Sequence, residues 1–216
     1  VDIGDEKQAF VHYLDLGLYF EAFDEFLRRM NPNTDAKGIY KHIKPGHILE
    51  KEGRIENVLT PGQMIIVQIV KEPISTKGSR LTAEISLAGR NIVLLPFAEK
   101  VSVSQKISSK EEKRRLETLV RSILPKNYGA IIRTAAEGKN AAVLDAEVMS
   151  LIEKWENSWK KLAKSKDVQL LFTEYSKTTT ILRDLLNDSF SNIYVNDENI
   201  YEETRKYISL ISPEQE

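Results

Sequence analysis

Cysteine is absent, which removes disulfides, thiolate nucleophiles and cysteine-ligated metals from the chemistry this chain can offer. That absence is compatible with a cytoplasmic protein. Histidine is scarce: His12, His42 and His47 are the only ones, none has a metal-ligand spacing such as HExxH, and they read as surface or structural residues. No GxSxG, Walker A or GxGxxG element occurs, so the chain shows no active site of those kinds. No apolar run approaches the roughly 18 residues that a membrane-crossing helix needs. The chain opens at Val1 without a signal-peptide pattern, and "VDIGDEKQAFV" reads as the middle of a β-rich domain, so a fragment of a longer protein is expected. A surplus of one charge is missing too. With 31 Lys and Arg against 32 Asp and Glu, the formal net charge is −1, which argues against a uniformly basic nucleic-acid binder but leaves room for a basic groove.

What is present describes a folded chain: 216 residues, 41% hydrophobic and 29% charged, enough for one large domain or two small ones. The first part looks β-rich. "AFVHYL" (Ala9 to Leu14) reads as a strand, and Met64 to Val70 as another. A Lys77-Gly78 turn then joins it to the alternating Leu81, Ala83 and Ile85, giving a hairpin. Between them, Leu18 to Met30 has helical spacing, and "NPNTDAKG" (Asn31 to Gly38) reads as a loop. A boundary near residues 86–89 separates this part from alternating strands and helices. There "RNIVLLPF" and "GAIIR" are strands. Ser108 with Glu111 opens a charged helix, and Leu144, Val148, Leu151, Ile152 and Trp155 mark a long helix from about Thr134 to Lys166. A strand-like "QLLFTEY", a helix at "TTTILRDLL", the segment "NIYVND" and a helix at "ENIYEETRKYISLI" complete the pattern.

One stretch carries more chemistry than its neighbours. In "GAIIRTAAEG" (Gly129 to Gly138) an arginine and a threonine sit where a strand hands over to a helix. Thr134 and Glu137 fit a capping box, a helix start suits an anion, and Arg133 makes that anion a phosphate. Taken alone, the spacing favours an ordinary cap with a solvent-facing arginine. Phe10 reads as a base-stacking platform of an OB-type barrel or, by local pattern, as a core residue; Lys77 reads as a phosphate contact or a plain turn lysine. Asp184, Asp188 and Asp197 suggest a two-metal site, but Asp184 follows Arg183, which favours local pairing. The runs "KEEKRR" and "WKKLAKSK" read as solvated helix faces with a secondary reading as RNA contacts.

Four blocks then line up in one order. "VDIGDEKQAFV", "VQIVKEPISTKGSRLTAEISLAGRNIVLLP", "GAIIRTAAEG" and "ILRDLLNDSFSNIYVND" resemble the ribonuclease E/G family of bacterial endoribonucleases across nearly all of the chain. The resemblance implies an α+β protein: an S1-type OB-fold β-barrel over residues 1–87, a mixed α/β 5′-sensor domain over 88–177 and part of an RNase H-like domain over 178–216. A helical insertion at about 15–60 departs from the family pattern. Gly89, Val93, Arg133 and Thr134 match the positions that bind the RNA 5′-monophosphate, and Phe10 and Lys77 match RNA-contacting positions, with a partner phenylalanine expected before Val1. The catalytic aspartates and their magnesium are expected in a nuclease subdomain beyond Glu216, so the chain itself is expected to bind single-stranded RNA without cutting it, and the full-length protein to be a homo-oligomer. The alternatives are a non-enzymatic RNA-binding module or ribosome-associated factor, and a protein-interaction scaffold without salt-dependent RNA affinity.

Overall fold

A computed structural model describes residues 1–44, 49, 52–164, 167–174, 176–186 and 189–211, the last two without their side chains. The chain divides into two compact units, Val1–Leu171 and Phe172–Glu216. His47, Lys166 and Asp188 lie outside the described residues.

In the first unit, strands β1 (Phe10–Val11), β2 (Gln68–Lys71) and β3 (Arg80–Thr82) form a sheet in the order β1-β3-β2. β2 and β3 pair antiparallel as a hairpin, with a register shift between Ile69 and Lys71, and β1 runs parallel to β3. The strand expected from Met64 is thus confined to Gln68–Lys71, and the one expected at Ala9–Leu14 to two residues, because Tyr13–Leu16 turns into a 3-10 helix. Asp15 explains that turn: its carboxylate takes a bidentate bond from Arg80 (3.0 and 2.9 Å) while its carbonyl accepts from Ala83 N–H at 2.8 Å and Thr82 Oγ1 at 2.8 Å. The Arg80 guanidinium holds the Asp15 carboxyl below the ordinary carboxylate range. Leu16, Phe20 and Ala83 are buried beneath this sheet, with Val11, Tyr13, Val58 and Leu59 packed around them. A closed barrel is not seen among the described residues: three short strands with β2 at an edge make an open sheet.

Helices α1 (Phe20–Arg29) and α2 (Ala36–His42) follow. α2 begins inside the segment expected to be a loop. The two helices supply aromatics to a second core. Phe23 meets Phe97 and Trp155 edge-on at 4.9 and 6.0 Å, and Phe26 meets Trp159 at 5.2 Å. Tyr40 stacks on Trp159 at 5.1 Å, and its hydroxyl donates to the Asn127 carbonyl at 2.8 Å and accepts from Phe97 N–H at 3.1 Å. Asn127, at φ 67°, returns two side-chain bonds to the carbonyls of Tyr40 (2.7 Å) and Ile43 (2.9 Å). An asparagine tolerates this left-handed backbone and satisfies buried carbonyls at once. The segment expected as an insertion is therefore bound into the same packing as the second sheet.

That second sheet has the order β4-β5-β7-β6: β4 (Leu87–Ala88), β5 (Ile92–Pro96), β6 (Val101–Val103) and β7 (Tyr128–Ile132). β5 pairs antiparallel with β4 and β7, while β6 and β7 run parallel, joined by α3 (Lys110–Ile123). Ile92, Leu94, Ala130 and Ile132 are buried, and Val93 and Ile131 pair opposite each other on the more open face. α3 is capped one residue later than expected, Ser109 Oγ accepting from Glu112 N–H at 3.1 Å. α4 (Ala141–Leu162) buries the stripe of Leu144, Val148, Leu151, Ile152 and Trp155 that its periodicity predicts. Its start is Asn140, whose side chain accepts from Val143 N–H at 3.0 Å, and not Thr134.

The second unit comprises α5 (Lys177–Leu185) and α6 (Glu198–Ile211), with Leu182, Leu186 and Tyr207 buried. The described parts of "QLLFTEY" and "NIYVND" carry no strand. No described helix is long and apolar enough to cross a membrane.

Candidate functional site

The β4–β5 turn and the end of β7 bring together residues that are 44 apart in sequence. Arg133 Nη1 donates to the Gly89 carbonyl at 2.9 Å, and Arg133 N–H donates to the Asn91 carbonyl at 2.8 Å. Within the turn, Gly89 N–H bonds the Ile92 carbonyl at 2.8 Å. Val93 follows on β5, in register with Ile131 of β7, two residues before Arg133. Thr134 is exposed, and its hydroxyl lies 3.1 Å from that of Ser104, which β6 delivers to the same corner. The four residues expected at a phosphate site thus share one sheet end, Arg133 directly anchored on Gly89.

The capping box expected at Thr134 and Glu137 is not formed. Thr134–Ala136 is a 3-10 turn with no side-chain cap, closed when Glu137 N–H bonds the Thr134 carbonyl at 3.1 Å. Gly138 at φ 73° then breaks the path, so α4 starts seven residues after Thr134. Three residues carry no useful macrodipole. An anion here would be held by the Arg133 guanidinium and the Thr134 hydroxyl, and not by a long helix.

Sequence reasoning missed a carboxylate at this corner. Glu147, on α4, accepts from Arg90 N–H and from Asn91 N–H, the latter at 3.1 Å to each carboxylate oxygen. It packs directly against Gly89, where a Cβ would meet Glu147 Oε1 and lie 2.8 Å from the Ile92 carbonyl of the turn's own backbone. Burial pushes the Glu147 carboxyl above its ordinary range, opposed by hydrogen bonds from Asn91 and Arg90 and by the Arg133 guanidinium. One signal was present in the sequence. Glu147 lies three residues after Leu144 and four before Leu151, so it interrupts the apolar stripe of α4.

The loop after the 3-10 turn is clamped from α3. Glu112 Oε1 accepts from Gly138 N–H at 2.9 Å, and Arg115, bidentate to Glu112 at 2.7 Å, donates to the Lys139 carbonyl at 3.0 Å. The run "KEEKRR" is thus partly a structural clamp. Arg115, followed by the Gly138 amide, holds the Glu112 carboxyl down at about 2 against an ordinary value of 4.5. A depressed folded-state value means stabilisation that is complete above the unfolded value and disappears as protons return. The stability difference between wild type and Glu112→Gln is therefore expected at neutral pH, to shrink below about pH 4.5 and to vanish near pH 2, read by thermal unfolding at a series of pH values. A difference independent of pH across that window would assign the loop's order to other contacts.

The residues expected to contact RNA elsewhere are placed on the other sheet. Phe10 on β1 is half-buried and meets His12 edge-on at 5.5 Å. Lys77 is exposed at the hairpin tip, where its backbone pairs with Ile74 at 3.0 and 3.1 Å. Gly78 permits a close approach, since a Cβ there would strike the Gln8 carbonyl. The aspartates fall to local roles: Asp184 takes a 3.0 Å bond from Arg183, and Asp197 accepts from Ile200 N–H at 3.0 Å. Among the described residues no three His, Asp or Glu side chains cluster so as to hold a metal ion.

A model of the ribonuclease E/G family matches residues 86–216, the span that contains the whole Gly89–Arg133 corner. The chain belongs to the ribonuclease E/G family. Ribonuclease G of Haemophilus influenzae is 33% identical over 214 residues, covering 99% of this chain and 40% of that protein. A ribonuclease E/G-like protein of Pyropia yezoensis is 32% identical over 201 residues, 89% of this chain and 39% of the relative. Ribonuclease E of a Nostoc species is 29% identical over 209 residues, 96% of this chain and 26% of its own length. The chain therefore spans at most about two fifths of these family members.

Proposed function

We propose that this chain is the RNA-recognising portion of a ribonuclease E/G-type endoribonuclease that acts in RNA processing and decay, and that the Gly89–Val93–Arg133–Thr134 corner receives the 5′-monophosphate of single-stranded RNA. The observation that carries the reading is the Arg133–Gly89 bond of 2.9 Å, which unites two sequence blocks at one sheet end. A guanidinium has five donors in a fixed fork, so anchoring on a carbonyl is compatible with presenting others to phosphate oxygens. The Thr134 hydroxyl adds a short-range donor beside it. Phe10 and Lys77 contribute a stacking surface and a phosphate contact on an S1-type, OB-related sheet, and the full-length protein assembles as a homo-oligomer in the cytoplasm.

Magnesium bound elsewhere in the parent enzyme would supply an activated water for hydrolysis of the phosphodiester. On this reading the aspartates that would hold the ion lie in another part of the protein, and this chain binds and orients RNA without cutting it. The test is a fluorescence titration of the chain with a single-stranded RNA oligonucleotide over a series of salt concentrations, with magnesium present and the RNA analysed afterwards. Expected are affinity that falls as salt rises and RNA that stays intact. Salt-independent or absent binding would contradict the recognition role, and robust cleavage would contradict the division of labour.

A further inference from the structure

We infer that Glu147 is the positioning residue of the 5′-phosphate corner: by holding the amides of Arg90 and Asn91 it fixes the β4–β5 turn, so that the Gly89 and Asn91 carbonyls anchor Arg133. The inference rests on the reading of that corner as a phosphate site. Three observations converge on it. The carboxylate accepts from two consecutive backbone amides of the turn. The two carbonyls flanking those amides, of Gly89 and Asn91, are the ones that receive Arg133 Nη1 at 2.9 Å and Arg133 N–H at 2.8 Å. The acid packs directly on Gly89: a Cβ there would meet Glu147 Oε1 as well as the Ile92 carbonyl at 2.8 Å.

The turn is thus held on one side by an acid of α4 and on the other by the arginine of β7. Backbone amides without a partner would let the turn rotate, and the Gly89 carbonyl would swing with it. Arg90 N–H bonds Oε1, and Asn91 N–H reaches both oxygens, so one acceptor oxygen at that place is sufficient. This separates acceptance from charge. Glu147→Gln keeps an oxygen there, whereas Glu147→Ala removes it.

The chain and its variants are titrated with a 5′-monophosphorylated single-stranded RNA oligonucleotide and with its 5′-hydroxyl counterpart. Glu147→Ala is expected to lower the preference for the monophosphate by about tenfold, with hydroxyl-RNA affinity unchanged. Glu147→Gln is expected to restore the preference to within about threefold of wild type. Loss of preference in Glu147→Gln equal to that in Glu147→Ala would overturn the inference, as would a wild-type preference in Glu147→Ala. A second readout is independent of RNA: the NMR signals of the Arg90 and Asn91 amides and of the Arg133 guanidinium shift in Glu147→Ala, while the Arg133 signals stay in place in Glu147→Gln. Unmoved Arg133 signals in Glu147→Ala overturn the positioning role even where RNA is bound. Moved Arg133 signals combined with no monophosphate preference in wild type would leave Glu147 in its role and remove the phosphate reading instead.

Discussion

Arg133→Ala is expected to weaken binding of a 5′-monophosphorylated single-stranded RNA oligonucleotide about ten- to a hundredfold, and to leave its 5′-hydroxyl counterpart within about twofold of wild type. The magnitude follows from charge-assisted hydrogen bonds of about 1.5–3 kcal/mol, at about 1.4 kcal/mol per tenfold. The selectivity follows from geometry. Arg133 sits at a sheet end, anchored on the Gly89 carbonyl at the corner proposed to receive the 5′-phosphate. Arg133→Lys is expected to recover only part of the loss, because an ammonium keeps the charge but not the planar fork. Equal losses on both oligonucleotides would reduce Arg133 to a general electrostatic contact.

Trp155→Ala is expected to cost the first unit about 3–5 kcal/mol of stability, measured by denaturant unfolding. Trp155 is fully buried on the inner face of α4, edge-on to Phe23 at 6.0 Å and to Trp159 at 6.3 Å. Its loss opens a cavity between α4 and α1, whose walls are large rigid rings that relax poorly. Trp155→Phe keeps an aromatic ring in the site and is expected to cost less, about 1–2 kcal/mol. A loss below about 1 kcal/mol for the alanine variant would mean that the aromatic cluster is not the core joining the N-terminal helices to the second sheet. That joining matters for function, because α4 also carries Glu147.

Those helices show where the sequence was legible and where it was not. The stripe Leu144, Val148, Leu151, Ile152 and Trp155 identified α4 because five apolar positions repeat on one face, and the same logic holds for β5 and β7. Its start was misplaced by seven residues. Thr134 and Glu137 have capping-box spacing, but Gly138 at positive φ and the Asn140 cap next to it compete for the same boundary, and the tertiary bond between Thr134 and Ser104 takes the hydroxyl away. Met64–Val67 has strand composition and yet forms no ladder, since composition reports burial as much as pairing. Arg133 and Thr134 were visible as phosphate-type residues, while their meeting with Gly89 and Ser104 is a product of sheet order, which local patterns do not contain.

The most direct measurement compares two RNA oligonucleotides of one sequence, one with a 5′-monophosphate and one with a 5′-hydroxyl, titrated into the wild-type chain at the same ionic strength. Recognition at the Gly89–Arg133 corner predicts that the monophosphate binds about tenfold or more tightly. Equal affinity of the wild-type chain for both oligonucleotides would contradict it.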